Sequence, residues 1–190
     1  MSGTGRLMLI SHGMTAALRT ARFPDDEPLE AQAMKLAQAV RTPLRALRDR
    51  TARTEQTGQA LGLDAVVDPA LADLDVGRWR GLTLDQLPPE ELHAWTTDPS
   101  VAPHGGESIE DLLSRVARWL ATAATVAGST VAITHPAVIR AVLITALDAA
   151  PTSFWRIDTP PLTATSMHAR TGRWTLRCAN SPLGDGHPDD

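Results

Sequence analysis

Two histidines stand where chemistry is commonly done. Each follows a short apolar run that reads as a buried parallel strand: His12 comes after Leu7-Met-Leu-Ile10 and Ser11, His135 after Val131-Ala-Ile133 and Thr134. A neutral imidazole nitrogen is a competent nucleophile at neutral pH, and histidine serves equally as a general acid or base. One histidine at a strand end is more often a packed polar residue than a catalyst. Two at equivalent strand ends of one sheet shift that balance towards function. Arginine is the other candidate type. The basic residues are nearly all arginine, with Lys35 the lone lysine, and the planar guanidinium fork matches phosphate oxygens in pairs. Zinc chemistry fits poorly, since there is no His-Glu-x-x-His pair and Cys178 has no second cysteine to join it.

The segments that must position these residues alternate in type. Strands are expected at Leu7–Ile10, within Leu44–Asp49, at Ala65–Val67 and at Val131–Ile133, with a terminal hairpin of Thr163–Arg170 and Arg173–Cys178 about Thr171-Gly172. Helices are expected over Pro28–Val40, over Arg53–Leu61 with Gly62 as its stop, from Ser108 onwards, and over Ala137–Leu147 with Pro136 in the first turn. Ser108 and Asp111 are spaced as a capping box. This alternation implies an α/β fold: a three-layer α/β/α sandwich with a mainly parallel central sheet and helices on both faces. Ligands of such sheets bind beyond the C-terminal ends of the strands, where both histidines fall.

Composition bounds the rest. The 190 residues suit one domain, placed here at 1–179, with 180–190 as a flexible tail rich in Gly, Pro and Asp. A net charge of −4 argues against nucleic-acid binding. No apolar stretch is long enough to span a bilayer, the N-terminus lacks the pattern of an export signal, and a lone cysteine suits a reducing compartment. A cytoplasmic protein is expected.

Five blocks, in order, resemble the motifs of the histidine phosphatase (phosphoglycerate-mutase-like) superfamily and cover nearly the whole chain. Ser11-His12-Gly13-Met-Thr15 is similar to its Arg-His-Gly-Glu-Thr, with serine for the arginine. Arg53-Thr-Glu-Gln-Thr57 looks like its Arg-Ala-x-Gln-Thr, and Leu71-Ala-Asp73-Leu-Asp75-Val-Gly77-Arg-Trp79-Arg-Gly81 resembles its Leu-x-Glu-x-Asp-Phe-Gly-x-Trp-x-Gly. Gly105-Gly-Glu107-Ser108 matches Gly-Gly-Glu-Ser. Thr134-His135-Pro136 with Ile139-Arg140 matches Ser-His-Gly-x-x-Ile-Arg, with Pro136 where glycine is usual.

The resemblance implies roles. His12 would be the nucleophile that becomes phosphohistidine, Arg53 would grip the phosphate bidentately, and His135 would donate to a phosphate oxygen. Gly13, lacking a Cβ, would let backbone approach the phosphate. Asp73, where glutamate is usual, would be the proton donor, with Glu107 as the alternative and helix capping as the competing account of Glu107. No metal or cofactor is implied. Ser11 removes a phosphate-binding cation, which Arg19, Arg22 or Arg50 could replace. Residues 82–103 read as a substrate lid, with Trp79 and Trp95 as pocket wall and Trp119, Trp155 and Trp174 as core or wall. His93 and His104 read as surface residues, and His168 and His187 have no motif support. The acidic run Ala21–Pro28 would disfavour a highly anionic substrate if it faces the pocket. The implied activity is a phosphomonoesterase acting on a small phosphorylated metabolite. A phosphomutase, or a weakened member that binds phosphorylated ligands without turnover, are the alternatives. The expected partner is that substrate alone, with no nucleic acid and no membrane. A homodimer is carried as an option.

Overall fold

Alternating burial along β1 (Gly5–Ser11) explains the layering of the molecule. Leu7 and Leu9 turn to one core, Ile10 to another, and on β4 (Gly128–Thr134) Ala132 and Ile133 divide in the same way. A strand whose two faces are both apolar must be covered on both sides. The computed structural model describes residues 5–36 and 45–183, the side chains of Lys35 and Leu36 excepted.

The remaining strands are β2 (Arg45–Arg48), β3 (Val66–Val67), β5 (Thr163–Arg170) and β6 (Arg173–Pro182). They form one six-stranded sheet in the order β3-β2-β4-β1-β5-β6. The first four in that order run parallel, and β5 and β6 add an antiparallel edge. The helices are α1 (Ala16–Arg19), α2 (Ala31–Leu36), α3 (Ala52–Ala60), α4 (Pro89–Thr97), α5 (Ile109–Ala123) and α6 (Pro136–Ala146). Helix α5 buries Ile109, Leu112, Val116, Trp119 and Leu120 in the larger core, with α6 beside it. Helix α3 lies on the opposite side, its C-terminal Leu61 packed with Ile10, Val131 and Ile133. The α/β/α sandwich expected from the sequence is the fold observed.

Register decides the site. Ser11 pairs with Thr134 across adjacent parallel strands, so His12 and His135, each one residue further on, emerge side by side. Arg48 pairs with Ile133, which brings Asp49, just past the end of β2, level with Thr134 and one residue short of His135.

Some boundaries differ from expectation. The helix expected over Pro28–Val40 begins at Ala31, because Leu29 is held extended: it bridges Thr15, and its N–H donates to the Gln56 side chain at 2.8 Å. Residues 37–40 of that segment, and Leu44, lie outside the described residues. Strand β6 runs to Pro182 rather than Cys178, taking Asn180–Pro182 from the expected tail. The cause is an available partner, since Ala164 pairs with Ser181 and Thr163 with Pro182 across a bulge. Residues 184–190 lie outside the described residues. The segment 82–103 holds helix α4, begun by Pro89 in its first turn. Among the described residues no helix is long and apolar enough to cross a membrane.

Candidate active site

His12 is buried, and its protonation pattern follows from one contact. Its Nδ1 lies 2.8 Å from the Gly13 carbonyl. A carbonyl only accepts, so Nδ1 carries the proton and Nε2 keeps its lone pair. Burial, then the nearby His135 and Arg53, push the His12 pKa down to about 3, against the raising effects of the Gly13 carbonyl and Asp73. The ring is therefore neutral at any physiological pH. Thr57 fixes the next backbone unit: its hydroxyl accepts from the Gly13 N–H at 3.0 Å and donates to the Arg53 carbonyl at 2.7 Å. The RTEQT block thereby ties helix α3 to the strand end that bears His12.

Arg53, on the first turn of α3, is 3% exposed. Its Nε lies 3.3 Å from His135 Nδ1 and its Nη2 donates to Asp73 at 3.0 Å. Its Nη1 is buried with no hydrogen-bond partner among the described residues. A buried guanidinium nitrogen left unpaired is costly unless something fills the place, and an anion oxygen would.

His135 stands 5.2 Å from His12 between ring centroids. Its Nε2 is 2.9 Å from Asp49, and its Nδ1 is 3.3 Å from Asp73. A ring protonated at Nε2 donates to Asp49 and accepts from Arg53. Protonated on both nitrogens, it turns a second donor towards Asp73, or towards an anion that displaces Asp73. Burial alone would raise the pKa of Asp49. The hydrogen bond and charge of His135, with the Arg50 N–H and Thr51, outweigh burial and hold it at about 2. Asp73 follows the same logic. Burial raises its pKa, but the charges of His135, Arg53 and His12 and the Leu74 N–H bring it below the ordinary carboxylate value.

His12 and Asp73 line a cavity of about 430 Å³, within the usual range for small-molecule sites, and Arg53 and His135 are in contact with Asp73. The polar lining is made of His12, Thr15, Arg22, Glu27, Asp73 and Arg140. Pro136, Ala137 and Arg140 share one face of α6 at helical spacing. The Arg140 Nε donates to the Ile157 carbonyl at 2.8 Å, and its guanidinium lies 5.6 Å over the Phe154 ring. Its two terminal nitrogens make no hydrogen bond among the described residues. Burial lowers the Arg140 pKa, and the nearby Asp158 and Asp73 raise it. No group of three or more His, Cys, Asp or Glu among the described residues is arranged to hold a metal ion.

The histidine phosphatase superfamily (branch 1) matches residues 7–182 of this chain. The chain belongs to that superfamily. A bifunctional protein of Mycobacterium tuberculosis is 43% identical over 86 residues, 44% of this chain and 23% of that protein. The glucosyl-3-phosphoglycerate phosphatase of the same species is 32% identical over 125 residues, 58% of this chain and 56% of the relative. The chain thus spans less than two thirds of the length of either. The native structure of a mycobacterial glucosyl-3-phosphoglycerate phosphatase superposes with a TM-score of 0.81 at 25% identity, over 94% of this chain and 99% of that one. A phosphoserine phosphatase mutant from Entamoeba histolytica, in complex with phosphoserine, shares the fold with a TM-score of 0.83 at 20% identity, over 93% and 96% of the two chains.

Within this histidine phosphatase fold the residues singled out in the sequence fall into two groups. His12, Arg53, Asp73 and His135 come together, and Arg22 and Pro136 line the cavity beside them. The others do not. Arg19 is solvent-exposed and paired with Glu30. Arg50 is exposed and off the cavity. Glu107 does not line the cavity. Both its oxygens are taken by Arg115 at 2.8 Å, and Arg115 also donates to the carbonyls of Ala70, Ala72 and Asp73. Gly13 is small for packing: a Cβ there would meet Leu29 and Ala33 at 3.2 Å. Ser11 is fully buried, its hydroxyl without a hydrogen-bond partner among the described residues, away from the cavity lining.

Of the aromatic residues, Trp95 and Trp155 line the cavity while Trp79 is buried behind Trp95. Trp119 and Trp174 anchor their indole N–H groups on Asp68 and the Leu120 carbonyl. His104 is buried against Trp79 rather than at the surface, because its Nδ1 accepts from the Gly106 N–H in the turn before α5. His93 is exposed, and His187 lies outside the described residues. Sequence reasoning missed Asp49 and gave Arg140 no role, although it stood in the matched Ile139-Arg140 block. The second was signalled by its spacing, four residues after Pro136 on the helix that His135 caps.

Proposed function

We propose that the chain is a phosphomonoesterase that passes a phosphoryl group from a small phosphorylated metabolite to His12 Nε2 and then to water. The observation that carries this is the Nδ1–Gly13 contact, which leaves Nε2 unprotonated beside an unpaired Arg53 nitrogen. In the first step Nε2 attacks phosphorus and the bond to the ester oxygen breaks. That oxygen takes a proton from Asp73. In the second, water attacks phosphohistidine, Asp73 takes its proton, and phosphate leaves with His12 neutral again.

Asp73 is anionic in the free site. A bound phosphate dianion would compete for Arg53 and repel the carboxylate, raising its pKa when a proton must be available. Arg53, His135 and Arg140 are proposed to hold the phosphate oxygens, with Arg140 supplying the charge that Ser11 does not. Two arginine cations and the His135 donor would answer the charge demand of the transfer without calling on a metal. Glucosyl-3-phosphoglycerate, the compound in the name of the mycobacterial relatives, is one substrate to assay.

His12→Ala is expected to abolish hydrolysis of p-nitrophenyl phosphate with the fold intact. Wild-type protein quenched in alkali after brief exposure to labelled substrate is expected to hold acid-labile label. An active alanine variant, or acid-stable label, would refute the assignment. Ser11 favours a second reading, a phosphate-binding protein without turnover, and this reading requires tight phosphate binding with no label in the same experiment.

A further inference from the structure

From the site outwards, the wall of the cavity changes character. Phe154 lies under Arg140, and from it a continuous row of rings leads away: Phe154 to Trp155 at 4.9 Å between centroids, Trp155 to Trp95 at 4.3 Å, and Trp95 to Phe23 at 5.7 Å. Two leucines continue the lining to the surface, Leu18 at 40% and Leu84 at 46% exposure. Exposed leucines are ordinary when scattered, but here both belong to the lining of one cavity that leads to a buried nucleophile. The mouth is built rather than frayed. Phe23 N–H donates to the Leu82 carbonyl, Gly81 N–H to the Phe23 carbonyl, and Arg22 bridges Thr83, so the Ala21–Pro24 loop and the start of the lid form one wall.

Charge in the cavity lining points the same way. Glu27 lines the cavity with a carboxylate whose pKa lies below the ordinary value, and one of its oxygens is buried with no hydrogen-bond partner among the described residues. A second carboxylate or phosphate on the substrate would meet it as a like charge in a poorly solvated place. Arg140 lies beside Asp73, close to the transferred phosphate, and Arg22 is exposed at the mouth, where water screens it. Beyond the phosphate, the cavity offers apolar surface to an uncharged body.

We infer that the substrate class is the phosphate monoester of an apolar alcohol, alkyl or aryl, whose body lies along the row from Phe154 to Phe23 and leaves between Leu18 and Leu84. This deepens the phosphatase reading and rests on it. Burying a methylene favours binding about fourfold when it is fully covered. Across ethyl, butyl, hexyl and octyl phosphate, kcat/KM is therefore expected to rise by about two- to fourfold per added methylene. Glycerate phosphates and sugar phosphates should fall below octyl phosphate. Leu84→Asp is expected to lower the octyl-to-ethyl ratio by about tenfold, a ratio that cancels any general damage to the enzyme.

A flat or falling series, or a preference for the polar esters, overturns the class. If p-nitrophenyl phosphate is hydrolysed in a His12-dependent way while the series is flat, only the class fails. If nothing is hydrolysed, the phosphatase reading fails, and calorimetry with the inert ethyl- and octylphosphonates still tests the class. Octylphosphonate binding tighter with a negative heat-capacity change supports it, and equal affinities overturn it.

Discussion

Asp73 shows how a residue's role depends on its neighbours more than on its type. Its side chain sits between Arg53 and His135, so in the free protein it is a carboxylate. As the proposed acid it could serve only with phosphate present. Asp73→Asn is accordingly expected to cost hydrolysis of octyl phosphate at least about tenfold more than that of p-nitrophenyl phosphate, because an aryl oxygen leaves without protonation and an alkoxide does not. Equal losses in the two assays would remove Asp73 from the proton path. Glu107→Gln should lower the melting temperature and leave the aryl-to-alkyl ratio unchanged, since Glu107 acts through Arg115 on the backbone that carries Asp73. At this scale the sequence was readable where a motif named the residue, as for His12, Arg53 and His135. Asp49 was not readable. An aspartate closing a strand is ordinary until β2 is known to lie beside β4, and only that pairing brings it 2.9 Å from His135.

Under the proposed function, helix α6 would carry the chemistry across the gap that Ser11 leaves. Pro136 opens it and His135 caps it, and one turn later Arg140 returns to the same face. An arginine there enters the cavity from the helix side, whereas residue 11 is buried within the sheet. Arg140→Ala is expected to lower kcat/KM by about 10²–10³, the loss typical of one oxyanion donor. Arg22→Ala should cost less, its charge being exposed at the mouth. Arg19→Ala and Arg50→Ala should change little, and a loss above tenfold in either would contradict the assignment. The elements themselves divide by how local their causes are. The Ser108–Asp111 capping box announced α5, and it is present in both halves. The Gly-Gly of the same block has a different cause, visible only in three dimensions: a Cβ on Gly106 would overlap the Asp75 carbonyl, and one on Gly77 the His104 carbonyl. Two motifs distant in sequence are thus small at these points because they pack on each other. Helix α4 was not foreseen, since paired prolines read as a break until one of them proves to start a helix.

Over the whole molecule, function sets a cost on stability that the pH dependence should reveal. The alternation of strands and helices made the sandwich legible, but no local pattern gives the strand order that gathers three strand ends under one cavity. Gathering them buries His12, which the fold holds neutral with a pKa of about 3 against 6.5 in the ordinary case. Between those values the unfolded chain binds a proton that the native protein refuses, so stability falls as pH falls through that window. Taking pH from 7 to 5 should therefore cost the wild type about 2 kcal/mol through His12 alone. Asp49, held at about 2, works in the same sense but lower on the pH scale: its contribution is full above the ordinary carboxylate pKa and is lost only at more acid pH. It leaves the 7-to-5 interval nearly untouched. His12→Asn has no titrating ring at this position and should lose less over the same interval. Urea unfolding of both proteins at the two pH values gives the difference directly. A gap near 2 kcal/mol supports a nucleophile kept neutral by burial, and identical losses would mean that His12 titrates as it does in the unfolded chain.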